Sequence, residues 1–174
     1  KTLVLDTFHR MRVDDRPRPT PAAGEVVIAV AATGICGSDI HGYTGENGRR
    51  QPGQVMGHES AGRIAELGDG VDVWRIGDPV TFNPLLSCGQ CAACLADAPQ
   101  HCASRKVIGV DPAHDAAFAE FLVVPASALV ALGPDLPALY ANDDVLADEL
   151  LSGGTDRDDP LWRMPLWDGY ADLL

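Results

Sequence analysis

Residues 25–31 read Glu-Val-Val-Ile-Ala-Val-Ala, and this run decides the fold class. β-branched residues dominate it, and alternation places Val26, Ile28 and Val30 on one face of a strand. Outward from it the same texture repeats. Leu3–Leu5, Gly62–Leu67, Asp78–Phe82 and Phe118–Val124 are further short apolar runs, separated by Gly and Pro punctuation. Residues 16–24 (RPRPTPAAG) form a Pro-rich loop that cannot donate a regular ladder. Strands at this spacing leave little room for helices. The expectation is a mainly β fold, a small closed or partly closed barrel, over residues 1–130.

The chain has 174 residues, 46% of them apolar, and a formal net charge of −12. That length suits one domain, or one domain with an appendage. The apolar fraction supports a packed core and argues against a disordered chain. The acidic balance speaks against nucleic acid and anionic membrane surfaces as partners. No run of about 18 apolar residues is present to span a membrane. The first ten residues, KTLVLDTFHR, carry charges where a signal peptide needs an apolar run. The expected location is cytoplasmic.

The charge is uneven. Residues 1–130 carry a net −4 and residues 131–174 a net −8, which places a seam near residue 130. Beyond it, Asn142-Asp143-Asp144 can cap a helix from about Asp143 to Leu151, ended by Gly153-Gly154. Leu161–Trp167 is apolar and interrupted by Pro165, as an edge strand would be. A last short helix would close a mixed α/β appendage.

All five cysteines fall between residues 36 and 102. Cys88, Cys91, Cys94 and Cys102 give C-x2-C-x2-C-x7-C. Thiolates at such spacings converge on one metal, and four of them complete a tetrahedral shell with no position left for substrate. Zinc in a structural site is the first reading. An iron–sulfur cluster and unliganded thiols are the alternatives; the bacterial ferredoxin run has a shorter last gap followed by Pro. Cys36 lies in Gly34-Ile35-Cys36-Gly37-Ser38-Asp39-Ile40-His41, and His58 in Gly57-His58-Glu59-Ser60-Ala61-Gly62. Taken alone, a single Cys is usually a small buried hydrophobe, and a His-Glu pair is usually surface. Glycines flanking Cys36 and His58 suggest close approach, and Asp39 is available to orient a ligand imidazole.

These motifs together resemble the zinc-dependent medium-chain alcohol dehydrogenases, in the polyol and threonine dehydrogenase branch. Gly57-His58-Glu59-x2-Gly62-x5-Gly68-x2-Val71 matches that family's zinc signature. Cys36-Gly37-Ser38-Asp39-x-His41 matches its first-ligand loop, Gly77-Asp78-Pro79-Val80 its GDxV strand, and the four-cysteine lobe its structural-zinc spacing. The resemblance covers residues 1–130 and implies a GroES-like β-barrel. It further implies that Cys36 and His58 are catalytic-zinc ligands, with Glu59 a neighbouring or interchangeable one. Ser38 and His41 would form the proton relay, and Asp39 would hold the His58 ring. The implied reaction is NAD(P)-linked oxidation of a small alcohol or polyol.

No G-x-G-x-x-G occurs, and 44 residues cannot supply half a Rossmann fold. The expectation is a truncated catalytic domain with little activity alone. The rival reading is a zinc-binding structural or interaction module. Residues 131–174 resemble an internal piece of a leucine aminopeptidase, most distinctively in Pro160-Leu161-Trp162-Arg163-Met164-Pro165-Leu166-Trp167-Asp168-Gly169-Tyr170. The peptidase's ligand motif is not among them, so peptidase activity ranks last. The whole then reads as a chimera joined near Val130. Tyr43 is expected as a loop aromatic or pocket lining, His101 and His114 as solvent-facing, Met56 as packing, and Trp74 as cover for a barrel edge.

Overall fold

A computed structural model describes residues 1–46, 48–112 and 116–133. The chain divides into two units, Lys1–Ala131 and Leu132–Leu174. All the elements below belong to the first. The expected helix at 143–151, the edge strand at 161–167 and the last helix lie outside the described residues, as does His114.

The described part is mainly β, as expected. Strands β1 (Thr2–Thr7) and β2 (Arg10–Asp14) form an antiparallel hairpin. Strand β3 (Glu25–Gly34) leads to helix α1 (Gly37–Thr44). Strands β4 (Glu59–Leu67) and β5 (Pro79–Phe82) follow. The four-cysteine segment carries a small ribbon of β6 (Leu85–Leu86) and β7 (Lys106–Val107), with the short helix α2 (Ala92–Leu95) between them. Strands β8 (Phe121–Pro125) and β9 (Leu129–Ala131) end the unit. The main sheet is five-stranded and antiparallel, in the order β8-β3-β4-β5-β9.

The sheet's core is built from the runs that announced it. Val26, Val27, Ile28, Ile64, Val80, Leu122 and Val124 are buried. One expectation is corrected. Strict alternation would put Val26, Ile28 and Val30 inside, but Val27 is buried and Val30 only half-buried. The register against β4 shifts between Val27 and Ile28 and again between Val30 and Ala32. The extra residue is Ala65 on β4 in the first and Ala31 on β3 in the second. Each bulge bends its strand and sharpens the local twist, so the pleat no longer has two clean faces.

Strand β1 departs from alternation for a different reason. Leu3, Val4 and Leu5 are all buried, because the hairpin is gripped on its other edge. Leu3 N–H donates to Phe118 O and Leu5 N–H to Gln54 O, each at 2.8 Å. Bridges Thr2–Ala119 and Val4–Val55 complete this closure, so the hairpin partly closes the sheet. On the hairpin's surface Asp6 pairs with Arg10 and Arg12, and Arg12 with Asp14. Exposed pairs of this kind are worth at most about 1 kcal/mol. Among the described residues no helix is long and apolar enough to cross a membrane.

Candidate metal centres

Two groups of potential ligands converge among the described residues. In each, the donor atoms all lie within 4.8 Å of one another. The first is the four-cysteine lobe. Its sulfurs stand 3.5 Å (Cys91–Cys94), 3.6 Å (Cys102–Cys88) and 3.9 Å (Cys88–Cys94) apart. A disulfide needs about 2.05 Å. Four thiolates about 2.3 Å from a tetrahedral zinc sit about 3.8 Å apart, so the spacing fits a shared ion and not a bond. Cys91 stands at the N-terminus of α2, and Cys102 follows the short turn Pro99–His101 and is fully buried.

Backbone amides favour the thiolates. The N–H groups of Gln90 and Cys91 push Cys88 down to about 6. The N–H of Cys94 lowers Cys91, while burial raises Cys94. A lobe of this composition has little else to order it. From Ser87 to Arg105 only Cys102 is buried.

The second group is Cys36, His58 and Glu59. The register of β3 against β4 assembles it: Gly34 pairs with Glu59 and Thr33 with Ser60. Cys36 comes just after β3 and His58 just before β4, so the two motifs meet at one end of the sheet. Gly57 has φ +95°, a conformation that side chains rarely adopt. A Cβ there would stand 2.5 Å from Phe118 Cδ1 and 2.9 Å from Phe118 N. The chain can therefore turn into His58 only at a glycine.

Helix α1 was not foreseen in the ligand loop. A reciprocal cap starts it. The Cys36 sulfur accepts the Ser38 N–H at 3.3 Å, and Asp39 Oδ2 accepts the Cys36 N–H at 3.2 Å. Cys36 Sγ lies 3.2 Å from His58 Nε2 and 3.0 Å from Ser38 Oγ. Burial raises the Cys36 thiol, but the hydrogen bonds from Ser38 outweigh it and hold the thiol below its ordinary value. His58 Nδ1 is buried without a hydrogen bond of ordinary geometry. Its anionic neighbour is Asp39 Oδ1 at 3.5 Å, so the attraction is electrostatic. Asp39 raises the imidazole's pKa against the opposing effect of burial. Burial in turn raises Asp39, yet His58, the Cys36 amide and Arg50 hold it below the usual carboxylate range.

One sulfur, one imidazole nitrogen and one carboxylate form a donor set that suits zinc, with a fourth position left for water or substrate. Glu59 is exposed and Cys36 and His58 half-buried, so the site opens to solvent. Ser38 lies against the Cys36–His58 pair, its Oγ 3.5 Å from His58 Nε2. His41 sits three residues further on α1, on the same helical face. It is exposed, with Nδ1 2.8 Å from Glu46 Oε2.

Tyr43, expected in a loop, lies in the last turn of α1. It packs at the edge of the His9 ring and donates to His9 O at 2.7 Å, which ties the helix to the β1–β2 turn. Met56 is buried, Trp74 half-buried and His101 exposed. Sequence reasoning missed Arg50. It is 2% exposed, and its Nη2 stands 3.4 Å from Asp39 Oδ1. Nothing in Gly48-Arg49-Arg50-Gln51 marks one arginine for burial, because arginine is rarely found inside.

The model of the alcohol dehydrogenase GroES-like domain matches residues 22–135. That of the cytosol aminopeptidase family's catalytic domain matches residues 123–174. Starvation-sensing protein RspB of Escherichia coli K12 is 40% identical over 126 residues, which cover 72% of this chain and 37% of that protein. L-threonine 3-dehydrogenase of Pyrococcus horikoshii is 41% identical over 126 residues, covering 71% and 36%. The solved structure of RspB from Escherichia coli CFT073, complexed with the cofactor NADH, matches with a TM-score of 0.70 and 37% identity. It covers 76% of this chain and 38% of that one. The chain thus spans little more than a third of these relatives' lengths. The strand order, the two ligand clusters and the extent of the match agree: the chain belongs to the alcohol dehydrogenase GroES-like family, within the zinc-dependent medium-chain dehydrogenases.

Proposed function

We propose that residues 1–130 are the metal-holding part of the catalytic domain of an NAD(P)-linked alcohol or polyol dehydrogenase. In this reading Cys88, Cys91, Cys94 and Cys102 hold a structural zinc, and Cys36, His58 and Glu59 hold a second ion at the reacting centre. The observation that carries it is the convergence of those three donor atoms within 4.8 Å beside a solvent opening. Both cofactors follow from the family, and NADH is the ligand of the RspB complex. The reading places the protein in the cytoplasm, with a small-molecule alcohol as its partner. In this reading residues 131–174, which fall in the stretch matched by the aminopeptidase family model, take no part in catalysis.

A zinc ion at Cys36, His58 and Glu59 would supply Lewis acidity that eases deprotonation of an alcohol. The chain's own residues manage the proton. The Ser38 hydroxyl stands beside the ligand pair, where it can accept a proton and pass it on. His41 lies one turn along α1 and reaches solvent, its Nδ1 2.8 Å from Glu46 Oε2.

Metal content tests the reading. The full chain prepared without chelator should carry two zinc ions, and Cys36→Ser or His58→Ala should reduce that to one. One ion in the wild-type chain, unchanged by either substitution, would leave only a structural zinc module. None would remove the structural assignment as well.

A further inference from the structure

Arg50 and Asp39 are each 2% exposed and face each other inside the fold. Charged groups are rarely buried unless paired, and here the pair touches both halves of the second ligand group. Asp39 Oδ2 accepts the Cys36 N–H at 3.2 Å. Asp39 Oδ1 faces His58 Nδ1 at 3.5 Å and Arg50 Nη2 at 3.4 Å. Space for the arginine is built in. Gly42 lies one turn along α1 from Asp39, and a Cβ there would overlap Arg50 Cγ.

We propose that Arg50 is a positioning residue for this centre, acting through Asp39 to set the His58 ring and the Cys36 turn. This rests on the metal-centre reading above, although its first test does not. A carboxylate tied only by one amide N–H can rotate about its last torsion. The guanidinium fixes the second oxygen, so one carboxylate oxygen stays on the Cys36 turn and the other on His58. An anion held against Nδ1 favours the tautomer protonated there. That leaves the Nε2 lone pair facing Cys36 Sγ, 3.2 Å away. Partners that orient a ligand imidazole in this way are commonly worth about 10–100-fold in metal affinity.

The experiment uses the full chain carrying one equivalent of zinc, with 15N-labelled histidine. Long-range imidazole correlations should show His58 protonated on Nδ1 in the wild type. Arg50→Met should raise the Nε2-protonated form at least about twofold, and Arg50→Lys should restore part of the wild-type spectrum. Gly42→Ala keeps every charge but crowds Arg50, and should shift His58 the same way. It decides the matter if Arg50→Met does not fold.

Cobalt(II) titration against a competing chelator is the second readout. Arg50→Met should weaken the Cys36–His58–Glu59 site by about 10–100-fold and leave the four-cysteine site unchanged. The proposal is overturned by a wild-type His58 protonated on Nε2, by an unshifted His58 spectrum in both Arg50→Met and Gly42→Ala, or by equal weakening of the two sites. A wild-type chain holding one ion only would defeat the metal-centre reading, while the imidazole spectrum would still decide Arg50.

Discussion

Replacing Gly57 by alanine tests how the second ligand group is built. Two costs are expected, and the structure separates them. The left-handed backbone at φ +95° costs a residue with a Cβ about 1–2 kcal/mol. The new methyl would also stand 2.5 Å from Phe118 Cδ1 and 2.9 Å from its backbone nitrogen. Phe118 is 2% exposed and its N–H donates to Met56 O, so it cannot swing aside. Overpacking of this kind typically costs about 1–3 kcal/mol. The sum is about 2–5 kcal/mol, or a fall in Tm of roughly 4–20 °C for a chain of this size. Gly24→Ala is the control. Gly24 has φ +76°, and a Cβ there would meet nothing within 4 Å, so it bears the first cost only. Thermal unfolding of the full chain by circular dichroism measures both. Equal losses in the two variants, or a Gly57→Ala melt within about 2 °C of wild type, would refute the overlap argument.

Other substitutions follow from the packing. Ile64→Ala removes a side chain that is 1% exposed at the centre of the sheet and should cost about 2–5 kcal/mol in chemical denaturation. Cys102→Ser should release one zinc per chain. Hydrogen exchange should then accelerate across residues 87–105 while Val26–Ile28 stay protected, since metal supplies the order that buried apolar side chains do not. Leu95→Ser should change stability by no more than about 0.5 kcal/mol, because Leu95 is 76% exposed despite its place in that lobe.

The parts of this fold that were legible in the sequence are those that depend on near neighbours. Val26-Val27-Ile28 declares a strand through its side chains, and the C-x2-C-x2-C spacing declares a cluster through chain reach alone. The bulges between β3 and β4 were hidden because each depends on the partner strand. Helix α1 was hidden because Gly37, Gly42 and Thr44 are poor helix formers; the cap between Cys36 and Asp39 offsets that. Strand β2 was hidden by its charges, since Arg10, Arg12 and Asp14 carry the hairpin's surface pairs. Arg50 was hidden because its burial is a tertiary event: it needs Asp39 and the gap over Gly42, eleven and eight residues away.

The two ligand clusters differ in how much of the fold must exist before each can form. Cys88 and Cys102 are 14 residues apart and are drawn together by turns and a ribbon of their own. Loops of about ten residues close in roughly 10–100 ns. Cys36 and His58 are 22 residues apart, but they meet only when β3 has found its register on β4. Contacts of that kind wait for the sheet, and the sheet is the slow part of a β fold. During folding the cysteine lobe can therefore capture an ion while the rest of the chain is still searching. On the proposed reading the second group can bind only after the register is set, so its occupancy would report that the sheet has formed correctly.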